Sequence, residues 1–294
     1  MFRVRDASSL PQAVALALAA VASSCVNPLT ALPKLFEARR LSTELHVSFT
    51  RAADASNRAV MADTDEASIA AKDEAVKARQ VVDRDLEALQ PILHDLGYID
   101  EQRDLGLFRA RYEEYRRLDD EILPLAVENS NLKAQKLSFG AAQDAAAEFR
   151  ASLDDAVRLA PPAQANAAAL AAERARSSVL EIQVLQAPHI AASDDAAMTR
   201  MEGAMKESAA SAEADLDRLK AMLPRAAAPL AAADSALAHF LDINTQIVAL
   251  SRKNTNVRSL ALSMGRKRAV TAECEDQLVA LGEALAKHES TATR

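Results

Sequence analysis

Two short polar runs hold the residue types in this chain best suited to binding: Asn129-Ser130-Asn131 followed by Lys133, and Asn254-Thr255-Asn256 followed by Arg258. Asparagine offers donors and an acceptor on one side chain. With a nearby cation, such a set could hold a carboxylate at the first turn of a helix, where free backbone N–H groups favour anions. Asparagine is also a good helix N-cap and tolerates turn dihedrals, so the same residues could start a helix with no ligand at all. Both readings stay open on sequence. Asn129, Asn131, Lys133, Asn254, Asn256 and Arg258 are the candidate ligand-binding residues, with a small organic acid as the ligand class.

Other chemistry finds no pattern to stand on. Carboxylate-bridged metal bundles place Glu-x-x-His pairs on one helix face, and none of His46, His94, His189, His239 and His288 has a Glu three residues before it. No His-Glu-x-x-His, Gly-x-Ser-x-Gly or phosphate-cradling glycine loop occurs, and six glycines are too few and too scattered to build one. No catalytic residue, metal ligand or cofactor is assigned, and the chain reads as a binding or structural protein rather than an enzyme. The acid clusters Asp119-Asp120-Glu121 and Asp83-Arg84-Asp85, and the basic run Arg266-Lys267-Arg268, read as solvated helix faces. A net charge of -7 excludes a general nucleic-acid surface, which needs a basic field.

The elements that must position these residues are helices. Ala, Leu, Glu, Arg, Asp and Lys dominate, with no Trp, six Gly and 3% aromatics, a poor stock for sheets and their turns. Prolines and small polar clusters punctuate the chain. Helix A is expected from about Pro33 to Ala62, and helix B from Asp63-Thr64-Asp65-Glu66 to Leu93. A connector over 94–104 leads to helix C, Leu105 to Val127, and helix D then ends near Leu159, before Pro161-Pro162. The series repeats: helix A′ stops before Pro188, B′ runs from Ser193-Asp194-Asp195 to Leu223, C′ from Pro229 to Lys253, and D′ to about His288.

The repeat holds residue by residue. At an offset of 125, Ile122, Leu125, Asn129, Asn131, Leu137, Ser138 and Gly140 fall on Ile247, Leu250, Asn254, Asn256, Leu262, Ser263 and Gly265. In the first half of each unit the offset is 130: Asp85-Leu86 lies over Asp215-Leu216. The five-residue difference falls in the B–C connection, where a length change costs little. Tyr115, Leu118, Ile122 and Leu125, and likewise Phe240, Ile243, Ile247 and Leu250, form amphipathic stripes suited to bundle packing. The expected fold is all-α: two tandem antiparallel four-helix bundles over 31–160 and 163–290, behind a leader over 1–30.

Phe108 to Leu118, then Ile122-Leu123-Pro124-Leu125-Ala126 and the turn Glu128-Asn129-Ser130, resemble the helix 3 to helix 4 hairpin of the four-helix-bundle sensor domain of bacterial methyl-accepting chemotaxis receptors. Gly140 and Phe149 fit that family's returning helix, and across both units the resemblance covers about Leu35 to Leu285. It implies a sensory, ligand-binding protein that takes part in signal transduction or chemotaxis, in tandem duplicate. Its partners would be a membrane signalling protein or a second copy meeting through helix faces. The receptor's second transmembrane helix, linker helices and methylated hairpin have no counterpart here, which implies a detached sensor or binding module.

Location rests on the leader. Arg3 and Arg5 precede the apolar run Ala13 to Ala22, and Ala22-Ser23-Ser24 stand before Cys25, an order like that of a secretory signal. Cys25 is therefore a candidate lipidation site, which would be the only membrane attachment and would place the protein in the periplasm or on the outer face of a membrane. The alternative is an alanine-rich leader on a cytoplasmic scaffolding coiled coil with no ligand. Cys274, at an apolar helix position, reads as a buried thiol.

Overall fold

A computed structural model of the chain describes residues 28–292, and among these it is helical with no strand. Cys25 and residues 1–27 of the leader lie outside the described residues. The helices are α1 Pro28–Met61, α2 Asp65–Leu96, α3 Ile99–Glu128, α4 Ser130–Phe139, α5 Ala141–Arg158, α6 Ala165–Ala191, α7 Asp195–Met222, α8 Ala227–Lys253, α9 Thr255–Leu262 and α10 Arg268–Ala292. A short 3-10 turn, Pro224–Ala226, precedes α8, and a π-turn, Ser263–Lys267, joins α9 to α10.

Local chemistry explains most boundaries. The Thr64 hydroxyl accepts the Ala67 N–H at 3.1 Å, and the Asp194 carboxylate accepts those of Ala196 and Ala197 at 3.1 and 3.0 Å. Both caps use donors that a helix start leaves free. Gly97, at φ 71°, ends α2 in the left-handed conformation that glycine adopts at little cost. The connector expected over 94–104 shrinks to Gly97-Tyr98, because Leu96, Glu101 and Leu105 are buried and draw both helices on to the turn. Helix α6 continues through Pro188 to Ala191, since His189 and Ile190 are core residues. The single D helices of the repeat are each broken, at Gly140 and at Gly265.

The helices form two sets of four, and each set borrows its fourth helix from the other half of the chain. α1, α2 and α3 pack with α10, while α6, α7 and α8 pack with α5. The cores show the same exchange. Phe49, Leu89 and Tyr112 share a cluster with Val270, Cys274 and Leu281, and Phe149 and Leu153 share one with Ile182, Leu219 and Phe240. The packed units therefore do not coincide with 31–160 and 163–290.

The turn residue is the physical cause. Antiparallel helix hairpins use loops of about two to five residues. Here Asn129 alone separates α3 from α4, and Asn254 alone separates α8 from α9. A one-residue turn does not fold a helix back along its predecessor, so α4 crosses to pack on α8 and α6, and α9 crosses to pack on α3. α4 and α9 meet at the crossing, on a pseudo-twofold axis that relates the two halves.

Candidate functional sites

The crossing is built from the residues the repeat singled out. Asn129 and Asn254 sit at φ 51° and 55°, the only non-glycine residues with positive φ among the described residues. Asparagine tolerates this conformation better than other side chains. Each turn then caps the other's helix. The Ser130 and Asn131 N–H groups donate to the side-chain oxygens of Thr255 and Asn256 at 3.0 and 3.1 Å. The Thr255 and Asn256 N–H groups donate back to Ser130 Oγ and Asn131 Oδ1, both at 3.1 Å.

The side-chain amides complete the exchange. Asn131 Nδ2 donates to Asn254 Oδ1, and Asn256 Nδ2 donates to Asn129 Oδ1, both at 2.9 Å. Outward, Asn129 Nδ2 reaches Asp65 and Ser68 in the first turn of α2, Asn131 Nδ2 the Ile190 carbonyl, and Asn254 Nδ2 the Ala192 carbonyl. The four asparagines thus come together and bond to one another. The cations stand apart from them: Lys133 Nζ donates to the Glu128 carbonyl at 2.7 Å and lies 3.8 Å from Asp65, while Arg258 is exposed.

A second polar centre lies inside the first set, where the acid cluster and basic run were expected to be solvated. Asp119 and Lys267 are fully buried, as is Ser56. The cause is helical: Asp119 falls on the buried face of α3 between Tyr115 and Ile122, and the π-turn at Ser263–Lys267 rolls Lys267 inward. Lys267 Nζ lies 2.9 Å from Asp119 Oδ1, and Arg79 Nη1 lies 3.1 Å from Oδ2. Ser56 donates to Asp119 and accepts from Lys267. Arg79 also reaches Asp120 at 2.7 Å. Helices α1, α2 and α3 each contribute one group to the cluster, and the π-turn leading into α10 supplies the fourth. Burial pulls the Lys267 ammonium below its ordinary range, and Asp119 opposes that shift. Tyr115 stands beside Lys267, whose Nζ is 5.3 Å from the ring centre, and its buried hydroxyl has no hydrogen-bond partner.

The pseudo-twofold places neutral residues at these positions in the second set: Asn244 for Asp119, Gln186 for Ser56, Ala209 for Arg79 and Ala142 for Lys267. Gln186 Nε2 donates to Asn244 at 3.0 Å, and Ser138 donates to Gln186 at 2.7 Å. One level of the bundle is thus ionic in one half and uncharged in the other. Asp85, expected on a solvated face, is buried as well, with Arg84 donating to one of its oxygens at 2.9 Å.

The second set has its own polar line. His189 Nε2 lies 2.8 Å from Glu202, and its Nδ1 is joined to Ser251 Oγ. Arg252 donates to Glu202 at 2.6 Å and holds that carboxyl below its ordinary range. A serine, a histidine and a carboxylate in line suggest acyl transfer, but Ser251 and His189 are fully buried and no substrate carbonyl reaches the hydroxyl. Cys274 is buried, and burial pushes its thiol up to about 12. Among the described residues no group of three or more His, Cys, Asp or Glu side chains is arranged to hold a metal, and no helix is long and apolar enough to cross a membrane.

No protein-family model matches the chain, and no curated protein matches it.

Proposed function

We propose that this protein is a sensory, ligand-binding helical bundle without catalytic activity, working outside the cytoplasm in signal transduction or chemotaxis beside a membrane signalling partner. The observation that carries the reading is the cluster of Ser56, Arg79, Asp119 and Lys267, which ties three helices of one set to the π-turn that leads into the fourth. Buried ion pairs add little net stability, because desolvation offsets their attraction. The second set closes on neutral groups at the same level, so the architecture does not require the charges. A cluster that links these elements suits a bundle whose helices must shift together when a ligand arrives. Broken helices on both sides of the pseudo-twofold, at Gly140 and Gly265, provide the hinges.

A second reading, a scaffold of the cytoplasm with no ligand, is supported by a different observation. Each asparagine amide at the crossing already donates and accepts within the protein. One experiment separates the two. Thermal unfolding is followed across a panel of short organic acids and amino acids, alongside a reporter active only outside the cytoplasm and fused after residue 60. A ligand at about a hundred times its dissociation constant adds about 2.7 kcal/mol, a rise of several degrees. A silent panel with an inactive fusion would support the scaffold.

A further inference from the structure

The end of α1 and the π-turn beside α9 enclose an open groove of about 420 Å3, within the range of small-molecule sites. Its walls include three exposed apolar side chains, Met61, Leu260 and Met264, at 71%, 41% and 59% exposure. Isolated exposed apolar residues are ordinary, but three facing one concavity are a binding surface, and thioethers adapt to varied alkyl shapes. Arg268 lines the same groove, is exposed, and makes no ion pair among the described residues. Its neighbour Arg266 is occupied by Glu114 at 2.6 Å, and Lys267 by Asp119. Arg268 is therefore the cation of the basic run that remains for an external anion.

The pseudo-twofold supplies an internal comparison. A groove of about 350 Å3 lies at the matching place in the other half, with Ala187, Ala191, Gln135 and Phe139 where the first has Asn57, Met61, Leu260 and Met264. The position of Arg268 is taken there by Gln143. Both grooves offer an apolar wall, but only the first adds a free guanidinium, the group best matched to a carboxylate.

We propose that the groove between α1 and the α9–α10 junction binds a monoanionic amphiphile, an alkyl carboxylate whose tail lies over Met61, Leu260 and Met264 and whose head pairs with Arg268. This deepens the ligand-binding reading and rests on it. The bound tail spans the end of α1 and the π-turn that carries Lys267, so occupancy bears on the same helices the ionic cluster joins.

Calorimetric titration of the full chain with sodium octanoate, and separately with 1-octanol, tests the inference. Octanoate is expected to bind one to one and more tightly than octanol. Arg268→Gln is expected to weaken octanoate by about tenfold or more while leaving the unfolding midpoint unchanged, since the side chain is exposed and unpaired. A second variant, Met264→Gln, is expected to weaken octanoate and octanol alike. Octanoate affinity unchanged by Arg268→Gln, or no binding of octanoate to the wild type at millimolar concentration, would overturn the inference. If octanoate fails while a short acid from the panel raises the unfolding midpoint, the groove assignment falls and the sensory reading stands.

Discussion

At the scale of single residues, the crossing and the ionic cluster make opposite demands on polar groups. In the crossing every amide is satisfied across the pseudo-twofold, so truncating one side leaves its partner buried and unpaired, at about 1–3 kcal/mol. Asn131→Ala and Asn256→Ala are each expected to destabilise by about 2 kcal/mol. The double variant should lose about the sum, because each side chain accepts the other residue's backbone N–H, and both N–H groups stay unpaired when the two side chains are removed together. Chemical denaturation of the four proteins measures the losses, and a single variant as stable as the wild type would deny the reciprocal cap. Tyr115 gives the contrary case. Its hydroxyl is buried without a partner, burial raises its pKa well above 10, and Phe240 stands in its place in the other half. Tyr115→Phe is therefore expected to leave stability unchanged or raise it by up to about 1 kcal/mol. A loss above about 1 kcal/mol would mean that the hydroxyl is bonded after all.

At the scale of elements, the repeated Leu-Ser-Phe/Met-Gly run now has a physical role: it ends a helix and bends the chain. A Cβ on Gly140 would sit 3.0 Å from the Lys136 carbonyl oxygen, whereas one on Gly265 would meet nothing within 4 Å. Gly140→Ala is expected to cost more than Gly265→Ala, by about 1 kcal/mol in denaturant titration, and an equal or reversed order would contradict the two bends as described. Helix existence and order were legible in the sequence because caps such as Thr64 and Asp194 and the stripe on α3 are local signals. The all-α class was legible in the composition, a poor stock for sheets and their turns. Burial of Asp119 and Lys267 was not legible, since charge runs are ordinarily solvated and the π-turn that turns Lys267 inward leaves no mark in residue type. The neutral counterparts Asn244 and Ala142 were visible in the repeat alignment, and comparing the halves position by position would have marked that level as distinct. The reciprocal capping of the two asparagine turns was half legible: their pairing in sequence was plain, their pairing in space was not.

At the scale of the whole molecule, the two halves form one particle closed by exchanged fourth helices. The one-residue turns at Asn129 and Asn254 force the exchange, and the crossing of α4 and α9 locks it. Neither half of the chain holds four helices that pack with one another, so folding couples residues far apart in sequence. His46 on α1 and Glu275 on α10 show this directly, with Nε2 and Oε2 2.6 Å apart. In two bundles each closed within its own stretch of chain, Glu275 would instead face Arg176, the repeat counterpart of His46 at an offset of 130. The most direct measurement is disulfide formation in a Cys25→Ser, Cys274→Ala background, comparing His46→Cys/Glu275→Cys with Arg176→Cys/Glu275→Cys under mild oxidation. The exchanged arrangement is expected to give a rapid intramolecular bond in the first pair and none in the second; a bond in the second pair and none in the first would contradict it.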